Sequence, residues 1–215
     1  MAEKREKKII FTTAAGNTKY PRLTTPDTKF KPEGEYKVTL LLGGVDAEKL
    51  TKQIDAAMSA SFDAAKKDPA NKAKKIKVAD TPYKADLDDA GEPTGLTAFN
   101  FKMRASGKTK EGKEWSRRPG LFDAKGLPIV GAPKIAGGSI MKVAYSLGGF
   151  FTPLVGAGVS LRLEGVQILK LVEWQSGTAA SYGFKAEQGE EEETNAAGST
   201  AGADSAANDE SDLPF

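Results

Sequence analysis

The chain has 215 residues, 31 basic and 29 acidic, for a net charge of +2, and it contains no cysteine and no histidine. Disulfides, thiolate metal sites, cysteine nucleophiles and the usual neutral-pH proton shuttle are thereby excluded. The charge is unevenly spread: residues 186–215 carry nine carboxylates and no Lys or Arg, a charge of −9, which leaves +11 on residues 1–185.

Residues 1–8 are mostly charged and no apolar run follows, so neither a signal peptide nor a membrane span is expected, and a soluble intracellular protein is. Residues 8–13 (Lys-Ile-Ile-Phe-Thr-Thr) predict a short strand. Residues 14–32 read as loop, punctuated by Gly16-Asn17, Tyr20-Pro21, Thr25-Pro26 and Lys31-Pro32. Lys19, Arg22, Lys29 and Lys31 beside Tyr20 and Phe30 suit either a phosphate-tracking segment or a solvated loop. Residues 34–42 alternate as a strand. Tyr36, Val38, Leu40 and Leu42 share one face; Glu35, Lys37 and Thr39 share the other.

Asp46 is the expected cap of the one long helix, with Glu48 in its first turn. Leu50, Ile54, Ala57, Met58, Ser61, Phe62 and Ala65 recur at helical spacing as far as Lys67. Lys66, Lys67, Lys72, Lys74, Lys75 and Lys77 follow. The helix dipole accounts for the nearest of them, and the excess forms a candidate phosphate site. Residues 78–93 read as irregular. Asp86, Asp88 and Asp89 lie there in a turn-like stretch that gives no tight site for Mg²⁺, and no metal or other cofactor is expected.

Residues 97–105 predict a strand with Phe99, Phe101 and Met103 inward and Lys102 and Arg104 outward. Beyond a turn at residues 107–112, Lys113, Trp115 and Arg117 alternate onto one face, with Arg118 adjacent. Cations flanking an exposed aromatic suit unpaired nucleic acid: the indole stacks on any base and the cations meet phosphates. The bland alternative puts Trp115 in the core and the charges on its rim. Residues 126–133 predict a short strand. Residues 138–147 predict a central one, with Met141, Val143, Tyr145 and Leu147 opposite Lys142. The glycine-rich residues 148–158 predict a flexible connection displaying Phe150 and Phe151, either a base clamp or a plug over a barrel end. In residues 159–174, Val159, Leu161 and Leu163 are in phase, but Val166 and Ile168 take the other parity. That slip predicts a bulge at Gly165.

Several short strands, long strands bent by glycine and one helix predict a mainly β fold, a small barrel closed on itself. Residues 1–176 form the expected domain, and residues 177–215 a flexible linker and acidic tail too poor in apolar surface to fold alone. Asp209, Glu210, Asp212, Leu213 and Phe215 end that tail as acidic groups beside apolar ones. They suit a partner-docking element or a plain solubiliser. Thirty flexible residues span roughly 30 Å, against a radius of gyration of about 16 Å for the body, so the tail can reach its own domain.

The runs Tyr36-Lys37-Val38-Thr39-Leu40, Lys142-Val143-Ala144-Tyr145-Ser146-Leu147 and Gly156-Ala157-Gly158-Val159-Ser160-Leu161-Arg162-Leu163-Glu164-Gly165-Val166 resemble the single-stranded DNA-binding proteins of lytic tailed bacteriophages. So do Val130-Gly131, Gly137-Gly138-Ser139 and the acidic tail ending in Phe215. The resemblance implies a five-stranded OB-fold barrel with an inserted helix, acting in the host cytoplasm. It implies coating of unpaired DNA in replication, recombination and repair. It also implies a tail that competes with DNA and contacts the phage DNA polymerase and helicase–primase, and it admits a homodimer. The expected DNA contacts are Lys102, Arg104, Lys113, Trp115, Arg117, Arg118 and Lys142, with Tyr145, Phe150 and Phe151 placed by motif match. No catalysis is expected. A strand-annealing factor is the nearest alternative, and a structural virion or assembly protein the more distant one.

Overall fold

Alternating inward and outward residues need a second sheet face to bury against, and here the sheet supplies it by closing on itself. A computed structural model describes residues 8–173, apart from 73 and 110, together with Gly183. In chain order the elements are β1 (Phe11–Thr12), β2 (Gly16–Asp27), β3 (Glu35–Leu42), α1 (Gly44–Lys67), a 3-10 turn (Pro69–Asn71), β4 (Tyr83–Leu87) and β5 (Pro93–Arg104). Then come β6 (Ser106–Lys108), β7 (Glu114–Ser116), β8 (Gly120–Phe122), β9 (Ile140–Thr152) and β10 (Gly156–Lys170). Five strands form the ring β2–β3–β5–β10–β9 and back to β2. All its pairings are antiparallel except β5–β10. β1, β4 and β8 flank the ring, and β6–β7 is a separate hairpin.

The inward parity read from the sequence is the core. Tyr36, Val38, Leu40, Phe99, Phe101, Met103, Met141, Val143, Leu161 and Leu163 are all buried. Each large apolar side chain removed from water contributes about 1.5–3 kcal/mol. α1 turns Ala47, Leu50, Ile54, Met58 and Ala65 inward and packs chiefly on β9 and β10. Its cap is Gly43, with no side-chain hydrogen bond, and not Asp46. Asp46 lies in the first turn, where its charge still faces the positive end of the helix dipole.

Four further expectations need correction. Residues 78–93 are not irregular throughout: Tyr83–Leu87 forms β4, paired with β5. Residues 14–32 are not a loop: β2 occupies most of them, burying Thr18 and Leu23. Two of the turn dipeptides, Tyr20-Pro21 and Thr25-Pro26, fall where its register with β3 slips, between Lys19 and Arg22 and between Arg22 and Asp27. Tyr20 takes a φ of 52° there, and Pro21, which has no N–H to give a ladder, follows it. Residues 126–133 form no strand. Asp123 Oδ1 accepts from the backbone N–H groups of Lys125 and Leu127 and bends the chain into a turn, leaving only an isolated bridge from Phe122 to Pro128. Residues 148–158 are not a free connection either. β9 runs to Thr152, and its Gly148–Thr152 pair in unbroken register with Ser160–Gly156 of β10, so the link between strands is Pro153 to Val155.

The bulge at Gly165 is present as a register shift between Leu163 and Gly165. A Cβ there would come within 3.0 Å of the Gly120 carbonyl oxygen on β8, which explains the glycine. By its internal contacts the chain divides into Met1–Gln175 and Ser176–Phe215. Trp174 and the tail residues Asp209, Glu210, Asp212, Leu213 and Phe215 lie outside the described residues.

Candidate nucleic-acid interface

The outward parity of the ring assembles a row that no single strand shows. Arg22 on β2 pairs with Lys37 on β3, Lys37 with Lys102 on β5, and Lys102 with Arg162 on β10. Four neighbouring strands thus place four cations side by side. Like charges directly opposite one another destabilise a sheet. The arrangement makes sense as a seat for something anionic.

Three of the four cations, Arg22, Lys102 and Arg162, line a trough made of depressions that share walls. One of about 660 Å³ is lined by Lys31, Lys102, Arg104, Trp115, Arg117 and Arg162, among others. Trp115 and Arg104 also wall a neighbour of about 710 Å³. Asn100 is shared with a third of about 290 Å³, which in turn shares Tyr20 with a fourth of about 360 Å³. Trp115 is half-buried on the β6–β7 hairpin, where its ring lies over Gly107; a Cβ on that glycine would come within 2.8 Å of it. The Arg117 guanidinium stacks 5.1 Å from the Trp115 ring, and Arg117 Nε donates to the Arg104 carbonyl at 3.0 Å. Indole and guanidinium are therefore held ready, not left to swing. On the other wall, Arg162 lies across Gly148 of β9, in space a Cβ there would fill.

Carboxylates hold several of these cations. Lys37 Nζ donates to Asp27 at 2.6 Å, and that bond holds the Asp27 carboxyl below its ordinary value. Lys19 Nζ donates to Asp86 at 2.6 Å; this bond lowers the Asp86 pKa and raises that of Lys19. Glu35 pairs with Lys31 and lies 3.8 Å from Lys102.

Of the expected contacts, Lys102, Arg104, Trp115 and Arg117 come together on one wall of the trough. Lys113 and Arg118 are exposed just beyond the two ends of β7 but do not line it. Lys142 faces Gln167, past the bulge and away from the cation row. Tyr145 is a correction. It is 2% exposed, packed against Phe11 and Phe101, with its hydroxyl donating to Gln53 at 2.7 Å. Burial pushes its pKa up to about 12. A ring so enclosed stacks on no base. Phe150 and Phe151 are corrected as loop residues: both are half-buried in the hairpin, Phe150 beside Gly158 and Phe151 about 6.0 Å from Lys74 Nζ. Arg162 and Lys37 were missed, and Arg22 was read only as part of a segment suited either to phosphates or to solvent. Arg162 had a signal, a lone cation between the inward Leu161 and Leu163. Among the described residues no group of three or more His, Cys, Asp or Glu lies together as a metal site, and no helix is long and apolar enough to cross a membrane.

A five-stranded closed barrel with one parallel joint, an added helix and a cationic outer trough defines an OB-fold of the nucleic-acid-binding class. Residues 15–171 match the family described as single-stranded DNA-binding protein, bacteriophage T7, and the chain belongs to that family. It is 31% identical over 198 residues to the single-stranded DNA-binding protein of Enterobacteria phage T3, with 85% of each chain covered. To that of Escherichia phage T7 it is 31% identical over 185 residues, with 79% of each covered. Among solved structures it is similar to gp2.5, a single-stranded DNA-binding protein encoded by bacteriophage T7, with a TM-score of 0.67, 29% identity, and 85% of this chain and 98% of that one covered. The single-stranded DNA-binding protein of bacteriophage Enc34, solved in complex with single-stranded DNA, shares the fold at a TM-score of 0.53 and 18% identity, over 76% of this chain and 88% of that one.

Proposed function

We propose that this chain coats single-stranded DNA without strong sequence preference, in phage DNA replication, recombination and repair, and that the strand lies along the cationic trough. The observation that carries the reading is the registered row Arg22, Lys37, Lys102 and Arg162. Carboxylates offset only part of its mutual repulsion, phosphates would offset the rest, and counterions released from the DNA drive much of the affinity. Trp115 stacks on a base of any identity, worth roughly 1–3 kcal/mol. The family supports the ligand, since the matched relatives are named for binding single-stranded DNA and not for catalysis.

In the same reading the acidic residues 186–215 compete with DNA for the basic domain. Once displaced, they present Asp209, Glu210, Asp212, Leu213 and Phe215 to replication proteins such as the phage polymerase and helicase–primase. The support is the opposition of charge, −9 against +11.

The test is a titration of fluorescent oligo-dT with the full chain and with the Lys102→Ala/Arg162→Ala double variant over a range of salt. For a single strand, each lost phosphate contact makes the slope of log affinity against log salt shallower by about 0.7, so the double variant should lose about 1.4. An unchanged slope would place the DNA elsewhere. No binding by the full chain at low ionic strength would overturn the function itself.

A further inference from the structure

A second basic surface lies outside the trough. Lys66 and Lys67 close α1, and Lys72, Lys74, Lys75 and Lys77 follow the 3-10 turn, all exposed. None of the six joins an ion pair among the described residues. The helix dipole accounts for Lys66 and Lys67 but fades within the last turn, so it does not account for the other four.

This segment is tied to the β9–β10 hairpin. Ala157 N–H donates to the Lys77 carbonyl at 2.8 Å, Ala79 N–H donates to the Ala157 carbonyl at 2.8 Å, and Val78 bridges to Ala157. The hairpin tip is apolar and open to solvent: Leu154 is 89% exposed and Val155 52%, with Val78 at 59% nearby. The tip is continuous with the trough. Ser160 and Arg162 line the trough, and the four strand residues Gly156 to Val159, roughly 13 Å, lead from Ser160 back to the tip. On the other side, Thr81 and Pro82 carry the lysine segment to the trough's rim.

We propose that this end of the barrel is a junction site for duplex DNA flanking the bound single strand. Lys72, Lys74, Lys75 and Lys77 hold duplex phosphates, while Leu154 and Val155 lie against the open face of the last base pair. Lysines alone suit any polyanion, and an apolar tip alone suits a protein. Together, at the end of a path for unpaired DNA, they fit a polyanion that ends in a flat apolar face. The proposal rests on the reading of the trough.

The experiment uses the full chain and two probes, oligo-dT and the same oligo-dT joined to a short hairpin duplex. Two variants are compared with it: Lys72→Ala/Lys74→Ala/Lys75→Ala/Lys77→Ala and Leu154→Ser/Val155→Ser. The unsubstituted chain should bind the joined probe about tenfold tighter than the bare one. The gain should steepen the salt slope by about 0.9 for each duplex phosphate held. Each variant should lose that gain and bind bare oligo-dT as before. Equal affinity for the two probes, or losses equal on both, overturns the proposal. Absence of bare oligo-dT binding would instead show that the trough reading has failed.

Discussion

On the proposed reading, the ammonium groups in and beside the trough do not meet DNA unaccompanied, since Asp27, Asp86 and Glu35 already hold Lys37, Lys19 and Lys31. Pairs with a solvent-accessible cation add little to stability, although Asp86 itself is buried, and on that reading they divide each cation between carboxylate and phosphate. Replacing Asp27 by Asn should free Lys37, and a low-salt titration should show tighter DNA binding with little change in melting temperature. The pH dependence has a definite sign. The Asp27 and Asp86 carboxyls are lowered in the folded chain. Their contribution is therefore present above an unfolded value of about 3.9 and lost as pH falls through the folded values. Lys19 is raised, so its share is complete below about 10.4 and lost as pH rises through its folded value. Denaturation across pH should show these pairs contributing fully from roughly pH 4 to pH 10, and Asp27→Asn should remove part of the acid limb. At this scale parity was the legible signal. It placed Lys102 and Arg104 outward and Phe99 and Phe101 inward. It also set Tyr145 among Met141 and Val143, where it belongs, although motif resemblance had drawn it toward the DNA. Parity within one strand does not show which cations on other strands become neighbours, so the partners of Lys102 stayed hidden.

At the scale of elements, the β9–β10 hairpin does more than close the barrel. Gly148 leaves room for Arg162 to lie flat across β9. A methyl group there would meet the far end of a flexible side chain and not backbone, so the arginine would move and the strand would stay. Gly148→Ala should lower DNA affinity several-fold while leaving the melting temperature nearly unchanged, which parallel titration and thermal denaturation would check. The glycine-rich stretch was read as a loop because glycine is common in loops. Here its absent side chains admit Arg162 at Gly148 and the Phe150 ring at Gly158. β2 was misread for a related reason. Proline and a positive φ do mark turns, but the chain kinks at Tyr20-Pro21 and then resumes its ladder with β3 at Arg22. The helix and the bulge at Gly165 were legible because periodicity over many residues, and a change of parity, survive local exceptions.

For the whole molecule the governing quantity is charge. Removing residues 186–215 would raise the net charge from +2 to +11. Attraction to a polyanion should strengthen accordingly, most at low ionic strength, and converge with that of the full chain as salt screens both. Filter binding of the full and shortened chains at several salt concentrations measures this, and equal affinity at low salt would contradict it. The imbalance could be counted directly from the sequence. The closed ring could not, because closure depends on β10 reaching across to β5, and nothing local in either strand specifies that meeting.

That meeting is also a short joint, as is the closure of β2 on β9. β5 and β10 share two registered pairs, Leu161 with Phe101 and Arg162 with Lys102, and they run parallel, the slightly weaker arrangement. On the proposed reading, a phosphate lodged between Lys102 and Arg162 would bridge the β5–β10 joint from outside, so a loaded barrel would breathe less than an empty one, and whatever loosens that joint would also loosen the grip on DNA.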